Sequence, residues 1–285
     1  MWLALYYQHI MDSAVSLHID IEKAIKKKAP DAGRKIPGFI YRFLANLICQ
    51  DRMNYLLDRN KDRFGVDFAE GILHDMNVQV VMEGAENIPS DGKFIFASNH
   101  PLGGLDGMAL VKIFGEKFDK KVRFIVNDLL MNITNLATVF VPINKHGNQG
   151  KENAALLNEA FSSENQILIF PAGLCSRLQG GRIRDLEWKK AVIAKSIEYQ
   201  RDVIPVFFEG HNSSFFYRLG YWRKKLGIKV NIEMALLPSE MFKNNNKTFV
   251  VRIGKPVPWQ TFDKSKSQKG WADYLKNKVY ELQQH

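Results

Sequence analysis

The sequence predicts an α/β fold, a mostly parallel sheet flanked by helices, preceded by an N-terminal helical element whose apolar stripe suits membrane docking. Three observations carry this. After His74, short β-rich runs alternate with helical stretches, the pattern of βαβ units. Before His74, apolar residues recur at helical spacing instead of alternating. The 285 residues, 46% hydrophobic and 25% charged, are enough for a large buried core and exclude disorder, collagen and coiled coil.

The first region, residues 1–74, reads as two helical pieces separated by a polar break from Asp31 to Lys35, ahead of Pro37. In the second piece Ile36, Phe39, Ile40, Phe43, Leu44, Leu47 and Ile48 form one regular stripe. Two readings stand side by side. The stripe packs on the core, or it lies in a membrane interface, with Lys26, Lys27, Lys28, Arg34, Lys35 and Arg42 facing anionic headgroups.

The second region, residues 75–285, reads as the αβ domain. Val78–Met82, Phe94–Ala97, Val122–Val126, Val139–Val141, Ile167–Phe170, Val203–Phe208 and Phe249–Ile253 are expected as buried strands. Gly107–Phe114, Glu152–Phe161 and Leu186–Tyr199 are expected as helices, the last with Trp188, Val192, Ile193 and Ile197 on one face. Lys243–Lys247 reads as a surface turn, and Trp188 and Phe215 fall in patterns that read as core.

A net charge of +10 points to a polyanionic partner: nucleic acid, anionic lipid or an acidic protein. The two cysteines, Cys49 and Cys175, form neither a disulfide framework nor a zinc site and fit a reducing compartment. Met1–Met11 lacks the basic lead-in and cleavage site of a signal peptide. The uncharged run Leu129–Asn144 is broken by Asn132, Asn135 and Pro142, short of the roughly 20 apolar residues of a membrane span. There is no metal-ligand cluster and no Walker or dinucleotide glycine pattern.

In open α/β sheets ligands collect beyond the carboxyl ends of strands. After Phe94–Ala97 comes Ser98, Asn99, His100, Pro101, Leu102, Gly103, Gly104, Leu105, Asp106, Gly107, a base followed by a flexible turn and a possible orienting carboxylate. The alternative is a histidine satisfied by its loop. After Ile167–Phe170 comes Pro171, Ala172, Gly173, Leu174, Cys175, Ser176, Arg177, then Arg182 and Arg184, glycines and arginines suited to an oxyanion, phosphate or carboxylate, or simply a solvated basic loop. Cys175 or Ser176 paired with His100 would make a hydrolase, though neither lies in a G-x-S-x-G elbow. In the loop Val139–Gly147, Lys145 is placed to meet an anionic group, and after Val203–Phe208, His211 or Asn212 either lines an acceptor pocket or belongs simply to a turn.

Together these blocks resemble the glycerol-phosphate and lysophospholipid acyltransferase superfamily. Asn99, His100 and Asp106, then Phe140–Lys145, then Phe170, Pro171 and Gly173, then Val203–Val206 follow in the order of its four sequence blocks. Glu83–Ala97 resembles its lead-in and Arg252–Pro256 its closing strand. The resemblance implies an N-terminal two-helix membrane-docking element and an acyl transfer from an acyl carrier protein or coenzyme A thioester to an acceptor hydroxyl. His100 would be general base, Asp106 its orienting partner, and oxyanion donors would sit near Gly173. Asn99, Gly103, Gly104, Asn144, Lys145, Gly173, Ser176, Arg177, Arg182 and Arg184 would line the substrates. No cofactor beyond the acyl donor is expected. The implied setting is peripheral, on the cytoplasmic face of the inner membrane of a bacterium, with an anionic membrane surface and a lyso-lipid acceptor as partners and no nucleic acid.

The departures sharpen the substrate. Five residues, Pro101–Leu105, separate His100 from Asp106 where the family usually has four. Lys145 stands where the second block usually has arginine, and Ala172, Leu174 and Cys175 replace the usual glutamate, threonine and arginine of the third. This points away from glycerol phosphate. The first and third blocks resemble a bacterial aminolipid branch that acylates the 3-hydroxyl of an N-(3-hydroxyacyl) amino acid, a lyso-glycine or lyso-ornithine lipid. A lysophospholipid or lysophosphatidate acceptor is the alternative, and a non-enzymatic binder of anionic membranes or nucleic acid the reading from another class.

Overall fold

The structure is a computed structural model that describes residues 18–143 and 150–284. Met1–Met11, Asn144 and Lys145 lie outside the described residues. Seven strands form one sheet in the order β1 (Gln79–Glu83), β9 (Thr248–Ile253), β8 (Asp202–Phe208), β2 (Phe94–Ser98), β5 (Gln166–Ile169), β3 (Val122–Asn127), β4 (Phe140–Ile143). From β8 to β4 the pairs are all parallel, while β9 meets β8 antiparallel and carries β1 parallel to itself. The expected strands are each found within two residues of their bounds.

The central strands explain why they were legible. β2 and β5 are buried at every position, so both faces must be apolar and the runs are continuous. Along β2, Phe94 and Phe96 join one core with Phe68 and Leu73 of α5 (Gly65–Asp75) and Leu110 and Phe114 of α6 (Leu105–Lys117). Ile95 and Ala97 join the opposite core with Leu156 of α7 (Gly150–Ser162), Val192 and Ile193 of α8 (Ala191–Tyr199) and Trp271 and Leu275 of α11 (Gln268–Glu281). The period-2 alternation of a strand thus divides two helical layers.

Several expectations are corrected. Ahead of β1 the described residues hold α1 (Ile21–Lys28), α2 (Pro30–Arg34), α3 (Gly38–Leu47), α4 (Gln50–Arg59) and α5, so helix α2 stands inside the expected break. Leu56, Leu57 and the α5 residues share the core of the sheet, because their apolar faces have no other layer to pack on. On α3, Phe39 and Phe43 are 65% and 63% exposed while Tyr41 is buried, donating from its hydroxyl to the Gly33 carbonyl. Of the apolar stripe, Phe39 and Phe43 are thus turned to solvent, while Ile36, Ile40, Leu44, Leu47 and Ile48 are partly buried. The expected helix from Leu186 starts only at Ala191, since Asp185 and Leu186 give their carbonyls to the Lys276 ammonium and Trp188 bonds back to Asp185. Trp188 is fully buried as expected, but Phe215 is 58% exposed and not core. It lies on the outer side of α9 (Ser214–Lys225), which with the short α10 (Leu237–Phe242) completes the helices.

Candidate active site

His100 stands two residues beyond β2, at the carboxyl end of the parallel sheet. Its Nδ1 is 2.9 Å from Oδ2 of Asp106, which is fully buried in the first turn of α6. The turn between them is built around that carboxylate. Oδ2 also accepts from the backbone N–H of Leu102 at 2.8 Å and of Gly103 at 3.4 Å, and Oδ1 accepts from Gly107 at 2.9 Å. Gly103 absorbs the extra residue: its φ is +94°, a left-handed value that a side chain resists, and a Cβ there would press within 2.8 Å of Leu237. The five-residue spacing therefore keeps the imidazole–carboxylate contact.

Three further contacts hold His100. Phe170 stacks on its ring, with centroids 3.9 Å apart and an interplanar angle of 16°. Its backbone N–H donates to Oδ1 of Asp185 at 3.1 Å, and its carbonyl accepts from Ser176 N–H at 2.7 Å. Asp185 is fully buried and also accepts from the Ser176 hydroxyl at 2.7 Å and from Trp188 Nε1 at 2.9 Å. Burial pushes its carboxyl above the usual range against these hydrogen bonds. Asp185, Trp188 and Phe170 were not singled out as site residues by sequence.

Two cavities flank this loop. One, of about 140 Å³, is apolar: His100, Gly103, Gly104, Gly107 and Gly173 meet Met108, Val111, Phe124, Phe140 and Phe170 there. Its apolar walls suit a short stretch of hydrocarbon beside the His100 ring. The other, of about 440 Å³, is polar and is lined by Asn99, Pro101, Ser176, Arg182, Arg184, His211 and Tyr280. Arg184 and Arg182 come from β7 (Arg182–Arg184), which pairs with β6 (Arg177–Gln179) as a hairpin. The Arg184 guanidinium lies over the Tyr280 ring at 4.2 Å. This cavity fits a small anionic head.

The remaining expected residues have other work. Asn99 exchanges two hydrogen bonds with the Phe208 backbone and ties β2 to β8, contributing only wall to the polar cavity. Arg177 is buried against Glu233 at 3.1 Å and the Cys175 carbonyl at 2.7 Å, so it anchors the 3-10 turn Ile232–Leu236 and is not a free cation. The Ser176 hydroxyl is turned to Asp185, and burial pushes the Cys175 thiol up and away from the thiolate, so neither is arranged as a nucleophile. Gly173, at φ +68°, donates its N–H to the Phe170 carbonyl at 2.9 Å and closes a turn. Its lack of a side chain instead admits Lys189, whose ammonium would lie 2.5 Å from a Cβ there. Of the two neighbours in the β8 loop, His211 lines the polar cavity, whereas Asn212 is buried and holds the Pro101 carbonyl.

Among the described residues, the His100–Asp106 pair stands between an apolar and a basic cavity, with the Ser176 hydroxyl and the Cys175 thiol both engaged elsewhere. The acyltransferase family model matches residues 23–285, and the chain belongs to that family. It is 51% identical over 264 residues to the lyso-glycine lipid O-acyltransferase of Bacteroides thetaiotaomicron, covering 93% of this chain and 97% of that protein. The protein of the same name from Phocaeicola vulgatus is 50% identical over 264 residues, covering 93% and 95%. Among solved structures, the 1-acyl-sn-glycerophosphate acyltransferase PlsC of Thermotoga maritima is similar at a TM-score of 0.45 and 18% identity, covering 86% of this chain and 93% of that one.

Proposed function

We propose that this acyltransferase moves a fatty acyl group from an acyl carrier protein or coenzyme A thioester to the 3-hydroxyl of a lyso-glycine lipid. The observation that carries the reading is the His100–Asp106 contact at 2.9 Å beside the apolar cavity. With the Asp106 carboxylate accepting at Nδ1, the hydrogen sits there and Nε2 keeps a lone pair for the acceptor hydroxyl. Nε2 takes the hydroxyl proton, and the oxygen attacks the thioester carbonyl. The tetrahedral oxyanion then collapses, and the imidazolium returns the proton to the departing thiolate.

The acceptor's amino-acid carboxylate enters the polar cavity, where Arg182 and Arg184 meet it. The names of the two relatives support glycine over ornithine, whose extra cationic amine would face this basic wall. No described helix is long and apolar enough to cross a membrane. Exposed Phe39 and Phe43, with α1 ending in Lys26, Lys27 and Lys28, support a peripheral seat on an anionic membrane, at the cytoplasmic face where carrier thioesters are made.

Purified protein given a carrier thioester and either lyso-glycine lipid or lysophosphatidate decides the acceptor. Mass spectrometry should find the diacylated glycine lipid as the product, and His100→Ala should slow its formation by about 10²–10⁴-fold. Acylation of lysophosphatidate alone, or an undiminished His100→Ala rate, overturns the reading.

A further inference from the structure

Away from the catalytic loop, the segment 214–232 has an unusual surface. Tyr221, Trp222, Leu226, Ile228, Val230 and Ile232 are all exposed, Leu226 and Val230 by 71% and 70%. Interleaved with them are the exposed Lys224, Lys225 and Lys229, together with Arg218, and the segment contains no aspartate or glutamate. The segment is nevertheless firmly built. Phe216 and Tyr217 on the inner side of α9 are buried, and Glu233, fully buried, holds Arg223 at 2.8 Å and Arg177 at 3.1 Å. A rigid support that turns aromatic and aliphatic side chains to solvent is the opposite of what a monomer in water favours.

We infer that residues 221–232 form a second membrane-docking surface, separate from helix α3, that seats on an anionic bilayer. Apolar side chains enter the headgroup boundary, tryptophan and tyrosine take the interface, and the lysines meet lipid phosphates. Charge complementarity selects an anionic bilayer, since the segment carries only positive charge. The same element walls a cavity of about 780 Å³ that runs from Tyr221 and Lys225 to Leu174 and Leu178. Leu174 follows Gly173, which lines the apolar cavity of His100. A lipid at the docked bilayer would thus meet a basic, partly apolar groove at the edge of this surface. Leu47 of α3 packs on the cluster containing Phe216 and Leu236, which ties the two docking elements together.

The test is co-sedimentation of the full chain with phosphatidylcholine vesicles, with and without phosphatidylglycerol. The surface variant Trp222→Ser/Leu226→Ser/Val230→Ser should lose binding to the anionic vesicles by about tenfold or more. It should melt at the wild-type temperature and acylate a detergent-solubilised acceptor at the wild-type rate. Lys224→Glu/Lys225→Glu/Lys229→Glu should weaken the preference for phosphatidylglycerol by about tenfold or more. Unchanged sedimentation of the apolar variant, both alone and in a Phe39→Ser/Phe43→Ser background, overturns the inference. So does a variant that sediments normally but needs more acyl carrier protein for half-maximal rate, which would make this surface a protein dock. Neither result depends on which lyso-lipid is the acceptor, so the inference and the substrate reading fail separately.

Discussion

Phe170 lies face to face with His100, ring centroids 3.9 Å apart, and Phe124 meets Phe170 edge-on at 5.1 Å. The first residue after β5 thus holds the histidine that follows β2, and parallel pairing of those two strands puts them side by side. Aromatic contacts of this kind are worth about 0.5–1.5 kcal/mol beyond burial. Phe170→Ala should lower kcat by roughly 2–10-fold, with Phe170→Leu intermediate, in a steady-state thioester assay.

Asp106 answers to four donors, three of them backbone N–H groups. Asp106→Asn replaces an acceptor with a partly donating amide and should lower kcat by about 10²–10⁴-fold. It should also lower the melting temperature, read by circular dichroism, because the turn 102–107 loses its hub. Asp106→Asn with full activity would remove the orienting role.

Asp185 positions the His100 backbone without facing the apolar cavity. Asp185→Ala leaves the His100 N–H and the Trp188 indole unpaired in a dry interior and the Ser176 hydroxyl with only the His100 carbonyl at 3.3 Å, costing about 1–3 kcal/mol for each buried group left unsatisfied. A fall in melting temperature is expected together with a fall in kcat at nearly unchanged KM. Asp185→Asn should rescue part of both.

The arginines separate by position. Arg184→Met should raise KM for a carboxylate-bearing acceptor about tenfold or more and leave KM for the same lipid with an amidated head unchanged. Arg177→Met should instead destabilise the fold, because it leaves Glu233 buried with only Arg223. Kinetics with the two acceptors and thermal melts of both variants check this.

Cys175 is buried and its thiol is pushed up by that burial. In the unfolded chain the thiol ionises first, so the native state keeps its advantage below the ordinary thiol pKa and loses it as pH rises beyond. Native protein at neutral pH should therefore alkylate at half-buried Cys49 while Cys175 reacts only on unfolding, as peptide mass mapping will show. Covalent acyl on Cys175 or Ser176 during turnover would instead indicate a hydrolase-like path.

The seven strands were legible because the central ones are buried on both faces and their apolar runs leave no choice of period. His100 and Asp106 were legible because a strand end followed by glycines marks a ligand loop. The hairpin β6–β7, by contrast, has only Gly180 and Gly181 at its tip to announce it, and it read as a loop. Helix α11 escaped notice because its apolar positions are spaced among lysines and polar residues. Phe215 read as core since an aromatic beside Phe216 and Tyr217 carries no sign of which side faces in.

The sequence alone determined the layered fold, the pairing of His100 with Asp106, and the order of the blocks that mark an acyltransferase, because these depend on local period and spacing. Tertiary structure decided which charges are available. Arg177 and Arg184 belong to one short basic stretch, yet one is neutralised by Glu233, from a distant turn, and the other stacks on Tyr280 at the polar cavity. Likewise Phe216 is core and Trp222 is surface on the same helix. Burial and ion pairing depend on what the folded chain brings alongside, and no window of neighbouring residues contains that.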